Sequence, residues 1–153
     1  EEAIDKMKEA GILIGCDTGY YEEDSMNLNK VLEDKYGIKF DCVTNSEKVP
    51  GRPSPFMVYD CMLQAYKQTG KVIPIESVVK IDDTAPGMLC GNNAGCWTIG
   101  LYASGSNDYD KLKESKPDFL VPSVKYVPDI IFYEIEPRLR RGERPGQGLV
   151  EAI

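Results

Sequence analysis

Three short stretches carry side chains that could do chemistry together. In the first, the apolar run Val78-Val79-Lys80-Ile81 ends in Asp82-Asp83-Thr84, ahead of Pro86-Gly87. Hard cations such as Mg²⁺ take carboxylate oxygens, and a strand end with two carboxylates is a seat for one. A solvated turn followed by a helix cap fits the same residues. The second stretch is Asp17-Thr18-Gly19-Tyr20. There the Thr18 hydroxyl and the backbone N–H groups after it could hold a phosphate oxygen, or the stretch is a turn with a cap. In the third, Gly51-Arg52-Pro53, Arg52 either presents its guanidinium to a phosphate or is an exposed loop arginine. A fourth loop, Ser104-Gly105-Ser106-Asn107, reads as a turn.

Chemistry requires elements that bring these stretches to one place. The pattern predicts a helix over 1–10 with Gly11 just past its end. The continuous apolar run 12–16 then reads as a strand buried on both faces. Asp24 or Ser25 can cap a helix carrying Leu28, Val31, Leu32 and Tyr36 on one face. A strand follows at 40–44. Ser54 is a candidate N-cap with Pro55 at the first helical position, ahead of Phe56, Tyr59, Leu63 and Tyr66 on one face and a stop at Gly70. Next come the strand 78–83, a helix 86–94 ended by Gly95, a strand 97–102, a small helix near 108–115 and a short edge strand at 119–121. A last helix has Pro128 near its start and carries Val127, Ile131 and Ile135. Pro137 is expected to kink or end it. Strand and helix alternate with short connections, the mark of an α/β, doubly wound parallel sheet with helices on both faces. The division expected is one core over 1–141 and a tail over 142–153. In such a sheet the strand-to-helix loops gather at the carboxyl edge. A hydroxyl, a cation and a carboxylate pair on successive strand ends fit magnesium-dependent phosphoryl transfer.

Composition narrows the alternatives. The 153 residues suffice for one domain with a real core. A net charge of -7 argues against nucleic acid as a partner, and Arg138, Arg140, Arg141 and Arg144 read as a solvated helix face. No apolar run approaches the roughly 20 residues of a membrane-spanning helix. Five cysteines, an odd number without CxxC spacing, favour buried free thiols and an intracellular, reducing setting. Histidine is absent, which removes Ser-His-Asp and Cys-His catalysis and His-ligated zinc. The chain opens on Glu1-Glu2 inside what reads as a helix and is expected to be a piece of something longer.

Four stretches resemble the carboxyl-terminal part of the phosphonoacetaldehyde hydrolases (phosphonatases), a family of the haloacid dehalogenase superfamily. Ile14-Gly15-Cys16-Asp17-Thr18-Gly19-Tyr20 is similar to the family's Gly-Ser-Thr-Thr-Gly-Tyr stretch. Gly51-Arg52-Pro53-Ser54-Pro55-Phe56-Met57 resembles its Gly-Arg-Pro-x-Pro-Trp-Met. Val79 to Gly87, followed by Asn93 to Gly100, resembles its metal loop and the strand after it, and Arg138-Leu139 with Gly142-Glu143-Arg144-Pro145 its end. The resemblance implies a haloacid dehalogenase-like Rossmannoid core and cleavage of a carbon–phosphorus bond to acetaldehyde and phosphate. It implies that Thr18, with Gly19 and Tyr20, holds the substrate and that Arg52 is the cation replacing the superfamily's usual lysine. Asp83 would ligate Mg²⁺ directly, with Asp82 behind it or acting through water.

The family also uses an aspartate nucleophile on a first, central strand and a Schiff-base lysine in a helical cap. Neither is in this sequence. The resemblance therefore implies a sheet lacking its first central strand, no cap domain, and a complementing N-terminal segment or chain as partner. A small phosphonate or phosphate is the implied substrate; a homodimer or larger assembly stays open. The chain departs from the family at Asp17, where a small hydroxyl residue is usual, at Cys90, where a glutamate is usual, at Gly87, which is not acidic, and at Pro137. A structural subunit that keeps the fold without catalysis is the competing expectation. A phosphatase or mutase of the same superfamily fits the Gly-Arg-Pro and Thr-Gly-Tyr pattern less well.

Overall fold

The computed structural model describes residues 1–19, 22–103, 108–146 and 150–151. Five strands follow the loop and helix alternation: β1 (Gly15–Thr18), β2 (Cys42–Asn45), β3 (Val79–Asp82), β4 (Trp97–Leu101) and β5 (Phe119–Val121). A sixth, β6 (Val150–Glu151), falls in the segment expected as a tail. The helices are α1 (Glu2–Glu9), α2 (Glu22–Tyr36), α3 (Phe56–Thr69), α4 (Ala85–Ala94), α5 (Tyr109–Glu114), α6 (Val127–Ile130) and α7 (Glu136–Arg140). All strand pairings are parallel, as expected, but they form two sheets: β1 with β2, and β3-β4-β5-β6. Among the described residues β1 does not pair with β3, and no strand lies between them. Among the described residues this is a Rossmannoid core with an open strand position between β1 and β3 and no cap domain.

Period-two alternation decides which face each side chain occupies. Trp97, Ile99, Phe119 and Val121 turn to one face. There they pack with Met7 of α1, Val127 and Ile130 of α6, and Ile131 and Ile135, and with half-buried Ile12, Ile14, Val79 and Ile81. On the other face α4 and α5 bury Met88, Leu112 and Leu120, while Val58 of α3 packs with Cys90, Ala94 and Cys96. Lys80 and Asp82, two apart on β3, therefore share the α4 face. Thr84 caps α4, its Oγ1 accepting from the Gly87 N–H at 3.1 Å, and Gly95 closes the helix at φ 87°. Among the described residues no helix is long and apolar enough to cross a membrane.

Several sequence expectations need correction. The strand expected over 12–16 begins later, at Gly15, and Leu13 is 38% exposed. An apolar run is buried on both faces only if the sheet continues past it, and here the next strand position is open. α2 starts at Glu22, so Asp24 and Ser25 lie inside it rather than at its cap. Its Leu28, Val31 and Tyr36 are exposed. Ser54 is not the cap of α3, whose N-cap is Pro55. Phe56, Tyr59, Leu63 and Tyr66 share a face, but an exposed one; α3 packs instead through Met57, Val58 and Ala65. Smaller side chains let that face lie close to the sheet: a Cβ built on Gly15 would stand 3.3 Å from Cys61 Sγ. β5 is not an edge strand, because β6 pairs beyond it. Pro137 does not end the last helix. Residues Ile131–Ile135 widen into a π-helix immediately before it, and α7 continues with Pro137 in its first turn. A π segment relaxes the carbonyl crowding that a proline ring creates.

The basic cluster is locally neutralised. Arg138 pairs with Glu134 and Glu143, Arg140 with Glu136, Arg141 with Glu143 and Arg144 with Glu76. All five cysteines are free thiols. Burial foremost, then the neighbouring Cys42, pushes the Cys61 thiol up to about 12; burial, then Cys90, does the same to Cys96. Only about one such thiol in ten thousand is thiolate at pH 8. Iodoacetamide at pH 8 is thus expected to leave Cys61 and Cys96 unmodified in the native chain and to label both after denaturation, as read by peptide mass spectrometry. Rapid native labelling of either would contradict this burial.

Candidate functional site

The carboxyl ends of β1 and β3 face each other across the open strand position, and four charged side chains meet there. Lys80 Nζ donates to Asp17 Oδ1 at 2.7 Å and to Asp82 Oδ2 at 3.1 Å. Arg52 Nη2 donates to Asp17 Oδ1 at 3.2 Å and to the Asp17 carbonyl at 3.1 Å, and stands 3.4 Å from Asp82 Oδ2. Side-chain exposure is 7% for Lys80, 8% for Asp82, 14% for Asp17 and 24% for Arg52. Two cations and two anions thus form a closed, largely buried network that joins the two sheets.

Local structure positions each member. Arg52 arrives on the loop between β2 and α3, tied to α4 by Asn93 Nδ2 donating to the Pro53 carbonyl at 2.9 Å. The loop after β1 is held to the one after β2: the Ser46 N–H donates to the Thr18 carbonyl at 3.2 Å, and Ser46 Oγ to the Gly19 carbonyl at 3.2 Å. Asp82 Oδ1 accepts from the Asp83 N–H at 2.7 Å, the Thr84 N–H at 3.0 Å and Thr84 Oγ1 at 3.0 Å. Burial alone would raise the Asp82 carboxyl. The Lys80 ammonium, then the Arg52 guanidinium and the Lys80 and Thr84 hydrogen bonds, outweigh it and hold the group below the usual carboxylate range. For Arg52, burial works against the charge, but Asp82 and Asp17 more than offset it and raise the guanidinium above its ordinary value.

Room for the network comes from two glycines one helical turn apart on α4. A Cβ on Gly87 would stand 2.1 Å from Asp82 Cγ, and one on Gly91 would stand 2.5 Å from Thr98 Cγ2 and 2.8 Å from Lys80 Cβ. The departure at Gly87 thus has a steric cause.

Of the residues singled out from sequence, Arg52 and Asp82 are in contact, and Thr18, Gly19 and Asp83 border them at the strand ends. Tyr20 lies outside the described residues, as does the Ser104 to Asn107 loop. Lys80 was missed. A lysine inside an apolar strand, two residues before an aspartate and so on its face, was the signal that could have found it. The residues present fit a magnesium ion in part. Asp82 has both oxygens engaged. Asp83 is half-buried, and its carboxylate makes no hydrogen bond or ion pair with another described residue. Among the described residues no group of three acidic or thiol side chains could hold a metal. Magnesium keeps several waters and takes one or two carboxylates plus phosphate oxygens, so Asp83 suits one ligand position and the rest would come from outside these residues.

Known proteins point the same way. The chain is 33% identical to a phosphonoacetaldehyde hydrolase of Vibrio parahaemolyticus, over 94% of this chain and 59% of that protein. It superposes on a phosphonoacetaldehyde hydrolase-like protein from Oleispira antarctica with a TM-score of 0.78 and 25% identity, over 94% of this chain and 58% of that one. Over 94% of its length the chain is phosphonatase-like, and its partial core has the haloacid dehalogenase-like fold. A haloacid dehalogenase family hydrolase from Deinococcus radiodurans, solved with bound phosphate and sodium, shares the fold at a TM-score of 0.68 and 19% identity, over 88% of this chain and 58% of that one. No protein-family model matches the chain. The phosphonatase-like core spans 59% of the length of the curated relative named above.

Proposed function

We propose that this phosphonatase-like core forms part of an enzyme that hydrolyses phosphonoacetaldehyde to acetaldehyde and phosphate. The observation that carries the reading is the meeting of Arg52 with Lys80 beside Asp82 and Asp83, at the open strand position of a core similar to phosphonoacetaldehyde hydrolases. Fixed cations at a partly water-excluded strand edge stabilise the charge of a transferring phosphoryl group. Arg52 serves as that cation, with Thr18, Gly19 and Tyr20 binding the phosphoryl end of the substrate. Asp83, supported by Asp82, supplies a carboxylate for Mg²⁺, which when bound would neutralise phosphoryl oxygens. The nucleophilic aspartate and the Schiff-base lysine come from a complementing N-terminal segment or chain, whose strand fills the position between β1 and β3.

The test is phosphate release from phosphonoacetaldehyde with Mg²⁺, by this core joined to or mixed with such a segment. Asp83→Ala is expected to lower the rate by about 100-fold. Full activity in that variant would remove Asp83 from the metal site. No release by the complemented wild type would leave the non-catalytic subunit as the better reading.

A further inference from the structure

The two cations facing the open strand position are not free to receive a phosphoryl group. Asp17 Oδ1 already accepts from both Lys80 Nζ and Arg52 Nη2. The arrangement is nonetheless poorly satisfied. Asp17 Oδ2 is buried without a hydrogen-bond partner, and so is Arg52 Nε. One buried N–H of the guanidinium and one buried oxygen of the carboxylate are thus both left over, so Asp17 meets the two cations through a single oxygen and matches the Arg52 fork poorly. A tetrahedral oxyanion, with more acceptor oxygens, can take the fork of Arg52 at two points.

We infer that Asp17 is an internal occupant of the oxyanion position and determines what this site accepts: inorganic phosphate and phosphonates of high negative charge enter only as the Asp17 carboxylate is displaced from Arg52 and Lys80. This rests on the reading of the cluster as a phosphoryl-group site. The charge balance is the reason. With Asp17 in place the four groups sum to zero, and an arriving dianion must separate a buried ion pair to bind. Without that carboxylate the same pocket carries one net positive charge, and an arriving anion supplies the missing partner. Burial deepens the contrast, because an unscreened carboxylate repels a second anion more strongly than one in water.

The experiment is titration of the full chain with inorganic phosphate at pH 7, by isothermal titration calorimetry, with circular dichroism as the check on folding. Asp17→Ser is expected to bind phosphate at least tenfold more tightly than the wild type. Asp17→Asn, which keeps the shape and removes the charge, is expected to share most of that gain. Adding Arg52→Ala to either variant is expected to abolish it. A folded Asp17→Asn that binds no more tightly than the wild type overturns the inference, and so does a gain confined to Asp17→Ser, since that would trace to space rather than charge. A gain that survives Arg52→Ala overturns instead the reading of the cluster as the phosphoryl site.

Discussion

Gly87→Ala is expected to destabilise the chain by about 3 kcal/mol, although alanine is the better helix former. The added methyl would stand 2.1 Å from Asp82 Cγ, 2.3 Å from Oδ2 and 2.6 Å from Cβ. A flexible side chain could swing away, but Asp82 cannot. Its Oδ1 is held by three donors in the following turn and its Oδ2 by Lys80. α4 is also held close to the sheet one turn on, where a Cβ on Gly91 would stand 2.5 Å from Thr98 Cγ2 and 2.8 Å from Lys80 Cβ. Relief therefore costs either the Asp82 hydrogen bonds or the packing of Met88 and Cys90. The gain in helix propensity, about 1 kcal/mol at most, does not offset this. At this chain length the loss corresponds to a Tm lower by roughly 6–12 °C. Differential scanning calorimetry measures it, and a Tm within a degree or two of wild type would show that α4 sits farther from β3 than described.

The sequence pattern reaches the parallel topology, the Gly95 end of α4 and its start to within one residue, and the carboxylates closing β3, because each depends on residues within a few positions of one another. Burial is harder to read when the partner is absent. Ile12-Leu13-Ile14 has the composition of a central strand, yet Leu13 is exposed and the strand starts at Gly15; among the described residues β1 has a paired neighbour on one side only. The faces of α2 and α3 follow the same logic: periodicity identifies an apolar stripe but not what covers it. Pro137 does not end the last helix, one of the two outcomes local rules expect of it, because Ile131–Ile135 widens into a π segment ahead of it. Asp17 stands out in the sequence as a departure, but its pairing with Lys80 escapes local reading. Separated by 63 positions, the two become partners only when the carboxyl ends of β1 and β3 face each other across the open strand position.

The network that results should make Lys80→Met the most damaging substitution in the chain and give its damage a distinctive pH dependence. Methionine keeps the stem that packs under Gly91 and removes only the charge. Asp17 and Asp82 then share one guanidinium, and a buried group with net charge zero becomes net negative. Removing one partner from a buried ion pair costs about 3–5 kcal/mol. In the wild type the folded Asp82 carboxyl lies below its ordinary value of 3.8. The folded state therefore binds fewer protons than the unfolded chain in that acid window. The stability this contributes is fully present above pH 3.8 and is lost as pH falls through the folded value. Without Lys80 most of that depression disappears, and burial, which acts to raise the group, is less opposed. The difference in urea midpoint between wild type and Lys80→Met is thus expected to be large at pH 7, to shrink as pH drops below about 4, and to be lost only below the lowered folded value of the wild type, where both proteins hold a protonated carboxyl. A penalty that stays constant from pH 3 to pH 7 would assign Lys80 a packing role and remove it from the charge network.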